Sequence, residues 1–192
     1  MKVSKSFHFQ GNILKGFTLV EMMVALSLVG ILSMIAVPSF RDYLRNAEVG
    51  EVVNQFTEPL ATARNKISST VPLAVAIPNG ANQKWEDGWI IFLDKNNNFS
   101  IDADEEIILN RGQLPSYIKI NATGTAAGDG GKTHLSFSQY NSVNMAGGFG
   151  ASTIEFKRND IASEHNIRRI KIAGTGRVRV CKPAGDTTCT FD

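Results

Sequence analysis

The chain has 192 residues, room for one helix long enough to anchor it and one globular domain of about 120 residues. Its formal charge of +2 is spread unevenly, and its two cysteines and three histidines form no cluster at metal-ligand spacing. No nucleophile stands in a context that would activate it, so composition and motifs point away from an enzyme.

Lys2, Lys5 and Lys15 make a basic leader that ends at Gly16. Phe17 to Val37 follows with Glu21 as its sole charge, and at about 1.5 Å per residue it spans roughly 31 Å, one hydrocarbon core. An ordinary secretory signal carries its cleavage site after the apolar stretch, whereas here a cut after Gly16 would leave that stretch as the mature N-terminus. Glu21 either snorkels to the interface or finds a partner, the nearest being a new amino group at Phe17.

Lys15-Gly16, then Phe17-Thr18-Leu19-Val20-Glu21 and an apolar run reaching Pro38, resembles the prepilin signature of type IV pilins and type II secretion pseudopilins. The resemblance implies that a prepilin peptidase cuts after Gly16 and methylates the amine of Phe17. It also implies that Glu21 docks subunits, including other major and minor pilins, into a filament, and that Pro38 kinks the helix. The implied location is the bacterial inner membrane, single-pass, with the globular part in the periplasm. Loss of the three leader lysines takes the charge from +2 to −1. In an oxidising compartment, Cys181 and Cys189 read as a short-loop disulfide.

Beyond Pro38, apolar residues at Phe40, Leu44, Ala47, Val52, Phe56, Leu60, Ala63 and Ile67 keep to one stripe, which predicts an amphipathic helix to about Ser69. Period-two runs then predict strands at Trp89 to Leu93, Glu106 to Leu109, Tyr117 to Ile120, Thr133 to Phe137, Ser152 to Phe156, Ile167 to Ala173 and Arg177 to Cys181. Gly124 to Gly131 reads as a flexible loop. The fold class is α+β: a long N-terminal helix, transmembrane in its first half and amphipathic in its second, packed on an antiparallel β-sheet in a pilin-like domain. The boundaries fall at 1–16 for the leader, 17–38 for the membrane and assembly helix, 39–70 for the amphipathic helix, 71–180 for the β-rich domain and 181–192 for a disulfide-tethered tail.

Three further motifs bear on chemistry. Gly131-Lys132-Thr133 lacks the earlier glycine of a phosphate loop, since position 126 is Ala126. From Asp94 to Glu105, oxygen-bearing side chains at Asp94, Asn96, Asn98, Asp102 and Glu105 occupy positions 1, 3, 5, 9 and 12 of a calcium-type loop. Phe99 stands where such a loop wants glycine, and Asp and Asn are also good hairpin-turn residues, so turn and calcium site both stay open. No other cofactor is expected.

The third motif is cationic. Lys157 to Lys182 holds eight basic residues against two acidic ones, while residues 17 to 156 hold nine basic and fourteen acidic. Arg169 and Lys171 alternate with isoleucines, and Arg177 and Arg179 with valines, so each pair points off one sheet face. Gly174-Thr175-Gly176 is the turn between them, and Lys182 extends the run. Arginines about 6–7 Å apart on one face can meet successive phosphates, although edge cations also guard sheets against aggregation.

Gly88-Trp89 to Asp94 together with Gly176-Arg177-Val178-Arg179 resembles the FimT/GspH group of minor pilins and pseudopilins. Within it, a late Gly-Arg-x-Arg marks members that bind DNA during natural transformation. The resemblance implies a minor type IV pilin that binds double-stranded DNA without sequence preference through Arg177 and Arg179, supported by Lys171, Arg169, Lys182 and the turn at Gly176. The alternative is a GspH-like minor pseudopilin that works in type II secretion without DNA.

Overall fold

In the computed structural model, the described residues are 16–68, 70–127, 133–139, 142–143, 150–161 and 163–191. The leader before Gly16, Ser69, Gly131-Lys132 and the second half of the 124–131 loop lie outside them. The chain divides into two compact units, one up to Tyr43 and one over Leu44–Asp192.

The first unit is helical. Helix α1, Leu19–Asn65, begins here and is long and apolar enough to cross a membrane. Its start is a capping box: Thr18 Oγ1 accepts from the Glu21 N–H at 3.2 Å, and Glu21 Oε2 accepts from the Thr18 N–H at 2.8 Å. Ser27, Ser33 and Ser39 turn their hydroxyls onto the carbonyls of Met23, Val29 and Ile35, which spares lipid an unmade hydrogen bond. Pro38 lies inside the helix without ending it.

In the second unit the helix buries Val49, Val52, Val53, Phe56, Leu60 and Ala63. The predicted stripe therefore holds from Val52 onward but starts at Val49, since Phe40 and Leu44 are exposed. The helix stops at Asn65, short of Ser69, and the next element is a strand, Leu73–Pro78, where the sequence shows no alternation.

The strands among the described residues are β1 (Leu73–Pro78), β2 (Trp89–Asp94), β3 (Glu106–Arg111), β4 (Ile118–Ala122), β5 (Leu135–Phe137), β6 (Ser142–Val143), β7 (Ser152–Arg158), β8 (Arg168–Ile172) and β9 (Val178–Cys181). They form two antiparallel sheets, where the sequence suggested one. Sheet 1 runs β3-β2-β1-β5-β6 and sheet 2 runs β4-β7-β8-β9. The expected flexible loop begins instead with a 3-10 turn over Gly124–Ala127.

Phe56 ties these parts together. Its ring meets Trp85 at 5.6 Å and Trp89 at 5.1 Å, edge on, and Phe156 of sheet 2 at 6.2 Å. Edge-to-face pairs of this kind add about 0.5–1.5 kcal/mol beyond burial. Trp89 reaches its place because Gly88, at φ 101°, lets the chain pass against strand β3. A Cβ there would lie 2.1 Å from the Arg111 carbonyl oxygen, so no other residue fits.

Candidate anion-binding face on the second sheet

Strands β7, β8 and β9 put Thr153, Lys171 and Arg179 directly opposite one another, and Glu155, Arg169 and Cys181 likewise one step along. Residues opposite each other share a face, so these six side chains cover the outer side of sheet 2. The inner side carries Ile154, Phe156, Ile170 and Ile172, all buried in the core. The alternation read from sequence thus places cations outward for the reason given there.

The β8–β9 hairpin is a three-residue loop. Gly176 N donates to the Ala173 carbonyl at 2.8 Å, Ala173 N donates to the Arg177 carbonyl at 3.0 Å, and Gly176 takes φ 77°. This is a type I turn closed by a left-handed residue, the position for which glycine is favoured. Gly176 therefore sets the strand register that brings Arg177 and Arg179 out on one face.

A groove of about 770 Å³ opens on this face, lined by Thr123, Thr153, Lys171, Arg177, Arg179 and Thr188 with small backbone-rich positions between them. Among the described residues, its lining includes no carboxylate and no aromatic ring. Arg177 is exposed, and no side-chain hydrogen bond or ion pair joins it to another described residue. Lys171 Nζ donates to Thr190 Oγ1 at 3.0 Å.

The tail beyond β9 folds back across the same face. Cys181 and Cys189 form a disulfide, closing a loop over a separation of 8 residues. Arg179 donates to Thr188 Oγ1 at 2.8 Å and pairs with the Asp186 carboxylate. The ring of Phe191 lies 5.6 Å from the Arg169 guanidinium. Asp186 is held below the usual carboxylate range by the hydroxyl and backbone N–H of Thr188, helped by Arg179.

Two of the expected cations fall away from the groove. Arg169 has its side chain only 14% exposed and spends Nε and Nη2 on Glu155 Oε2, at 2.8 and 2.6 Å, and Nη1 on the Cys189 carbonyl. It ties the tail to the sheet, and no local sequence pattern announces its near-buried partner Glu155. Lys182 is exposed, continues the parity of Val178 and Val180, and does not line the groove. Conversely, Thr123, Thr153, Thr188 and Asp186 were not singled out from sequence. Thr153 could have been found from the alternation of Ser152 to Phe156, but nothing local announces that Thr188 returns to Arg179.

The N-terminal sites are simply placed. Gly16 and Phe17 are exposed. In the single chain the Glu21 carboxylate is occupied by Thr18, whose hydroxyl donates to it at 2.9 Å in addition to the backbone N–H.

The Asp94–Glu105 loop has also used its acceptors. Asp94, fully buried, accepts from the backbone N–H groups of Asn96, Asn97 and Phe99 at 3.1, 2.6 and 3.0 Å. Glu105 accepts from Lys95 N and Asp102 N, and Asp102 accepts from the side-chain amides of Asn96 and Asn98, both at 2.8 Å. Phe99 adopts the left-handed conformation that glycine would have given, at φ 56°, and its ring sits 4.5 Å from that of His134. Among the described residues no group of three or more His, Cys, Asp or Glu is placed to hold a metal ion.

Residues 15–37 match the prokaryotic N-terminal methylation motif, and residues 45–176 match the family described as Type II transport protein GspH. The second match covers more than half of the chain. The chain belongs to the GspH family. It is a structural subunit of the minor pilin or pseudopilin kind, not an enzyme. A fimbrial protein of Moraxella nonliquefaciens is 48% identical over 40 residues, 21% of this chain and 26% of that protein. A type IV major pilin protein, PilE1, of Neisseria gonorrhoeae is 46% identical over 39 residues, 20% of this chain and 24% of that protein. The chain thus spans about a quarter of the length of these relatives. The type IV minor pilin FimU of Pseudomonas aeruginosa aligns at 15% identity with a TM-score of 0.46, over 76% of this chain and 94% of that one. The GspH match ends at Gly176, one residue before Arg177.

Proposed function

We propose that this chain is a minor type IV pilin that binds double-stranded DNA, without sequence preference, on the outer face of sheet 2 during DNA uptake. Before that, a prepilin peptidase cleaves after Gly16 and methylates Phe17. Helix α1 anchors the subunit in the inner membrane with the second unit in the periplasm, and Glu21 exchanges its Thr18 contacts for another pilin's N-terminus during filament assembly.

The observation that carries the DNA reading is the convergence of Lys171, Arg177 and Arg179 on one groove of the outer face. Guanidinium groups stay charged and bind phosphate oxygens in pairs, which suits a polyanion's backbone. The family match itself favours a second reading, a pseudopilin whose sheet faces contact other subunits and never meet DNA.

The test is duplex binding by the full chain in detergent micelles across a salt series. Two to three neutralised phosphates give a slope of log affinity against log salt of about −2 to −3. Replacing Arg177 and Arg179 together by alanine abolishes most of the affinity and flattens the slope. Undiminished binding by that double variant refutes the DNA reading, and absence of binding by the parent chain leaves the pseudopilin one.

A further inference from the structure

The tail brings a negative charge to one of the two arginines of the groove. Asp186 pairs with Arg179 Nη2, while its other oxygen accepts from Thr188 N at 2.9 Å and Thr188 Oγ1 at 2.6 Å. Thr188 Oγ1 in turn accepts from Arg179 Nη1, so carboxylate and hydroxyl together occupy both ends of the guanidinium fork. The Cys189 N–H donates to the Asp186 carbonyl at 3.0 Å and the disulfide closes the loop behind it, so the carboxylate is carried on a pinned segment. Thr188 and Arg179 hold the Asp186 carboxyl below its ordinary value. Its side chain is 25% exposed, and it does not itself line the groove.

We infer that Asp186 is a built-in counter-anion of this face, holding the Arg179 guanidinium outstretched before binding and yielding it to a phosphate of the bound polyanion. The inference rests on the DNA reading of the same groove. An arginine arm left alone would sample many rotamers, and ordering it on binding would cost affinity. Paired with Asp186 it is already extended, but the pair must open before a phosphate can take both nitrogens. The net effect is an affinity held below what three cations would give, with Arg177 left to make the first contact.

The experiment compares the full parent chain with Asp186→Asn, Asp186→Ser and Arg177→Ala, each in detergent micelles with a duplex of about 30 base pairs, over several salt concentrations. Asparagine and serine keep an oxygen for the Thr188 N–H, and unchanged unfolding midpoints verify that the tail is intact. Exposed pairs of this kind are weak, so Asp186→Asn binds about two- to fivefold tighter at fixed salt. Its salt slope steepens by about one, since one more cation is open to phosphate. If Arg177→Ala loses affinity while both Asp186 variants bind with the parent's affinity and slope, the DNA reading survives and the counter-anion inference is overturned. Weaker binding by the Asp186 variants overturns it as well. If neither the parent nor any variant binds duplex at low salt, the DNA reading falls and this inference falls with it.

Discussion

Two polar segments stand out in this sequence, the Asp94–Glu105 loop and the Arg169–Lys182 run, and they treat their charges in opposite ways. In the loop, the carboxylates of Asp94, Asp102 and Glu105 are consumed by backbone N–H groups and asparagine amides of the same twelve residues. In the hairpin, Arg177 reaches solvent with no described partner, and Arg179 is held only by a tail that lies over it. Charge spent locally builds a turn, whereas charge left over, or loosely covered, is free to recognise something else. The Arg169 pair shows that the boundary runs through the basic segment itself: one of its cations belongs with the loop in kind.

That contrast can be broken by measuring stability and duplex affinity on the same variants. The largest effect on stability belongs to Arg169→Ala, which takes both donors from Glu155 Oε2, leaves that 5%-exposed carboxylate with Lys157 and Asn121 on its other oxygen, and frees the tail from β8. Urea unfolding should show a loss of about 3 kcal/mol. Next comes Asp94→Ala, which orphans three backbone N–H groups beside a buried position and should cost about 2 kcal/mol or more, with duplex affinity unchanged. Gly176→Ala places a Cβ at φ 77° and should cost about 1 kcal/mol. Unlike Asp94→Ala it should also weaken duplex binding, because the turn positions Arg177. Arg177→Ala should leave the unfolding midpoint within about 0.5 kcal/mol of the parent while affinity drops roughly tenfold. The smallest response is expected from millimolar calcium, which should not move the melting temperature. A rise that grows with calcium concentration would mean that the loop gives up its internal partners for an ion, and the contrast would be lost.

Local patterns carried much of this molecule into view. The helix, the outward alternation of Lys171 and Arg179, and the disulfide all follow from spacing that lies within a few residues. Strand β1 escaped because Leu73-Ala74-Val75-Ala76-Ile77 is apolar on both faces, shows no alternation, and ends on a proline. It is central to sheet 1, pairing with β2 and β5, and strands buried on both sides read as plain apolar runs. The division into two sheets depends on which strands meet across long separations, as with β1 and β5, and no short window records that. The same holds for Arg169: its alternation is right, but Glu155 and the Cys189 carbonyl arrive from 14 and 20 residues away. The candidate site was thus legible in its direction and its principal arginines, and illegible in what the tail does to them.

The edge-to-face packing of Phe56 on Trp89 and Phe156 has a mechanical side. Strand β9 is the outer edge of its sheet, the position from which a strand is most easily peeled. Here the Cys181–Cys189 link and the Arg169 contact to the Cys189 carbonyl clip that edge to β8 across the face. Tension applied at Arg177 or Arg179 is therefore shared by two strands of a sheet whose Phe156 ring meets Phe56 of the helix at 6.2 Å. A subunit built in this way can be pulled on at its surface and bear the strain in its core.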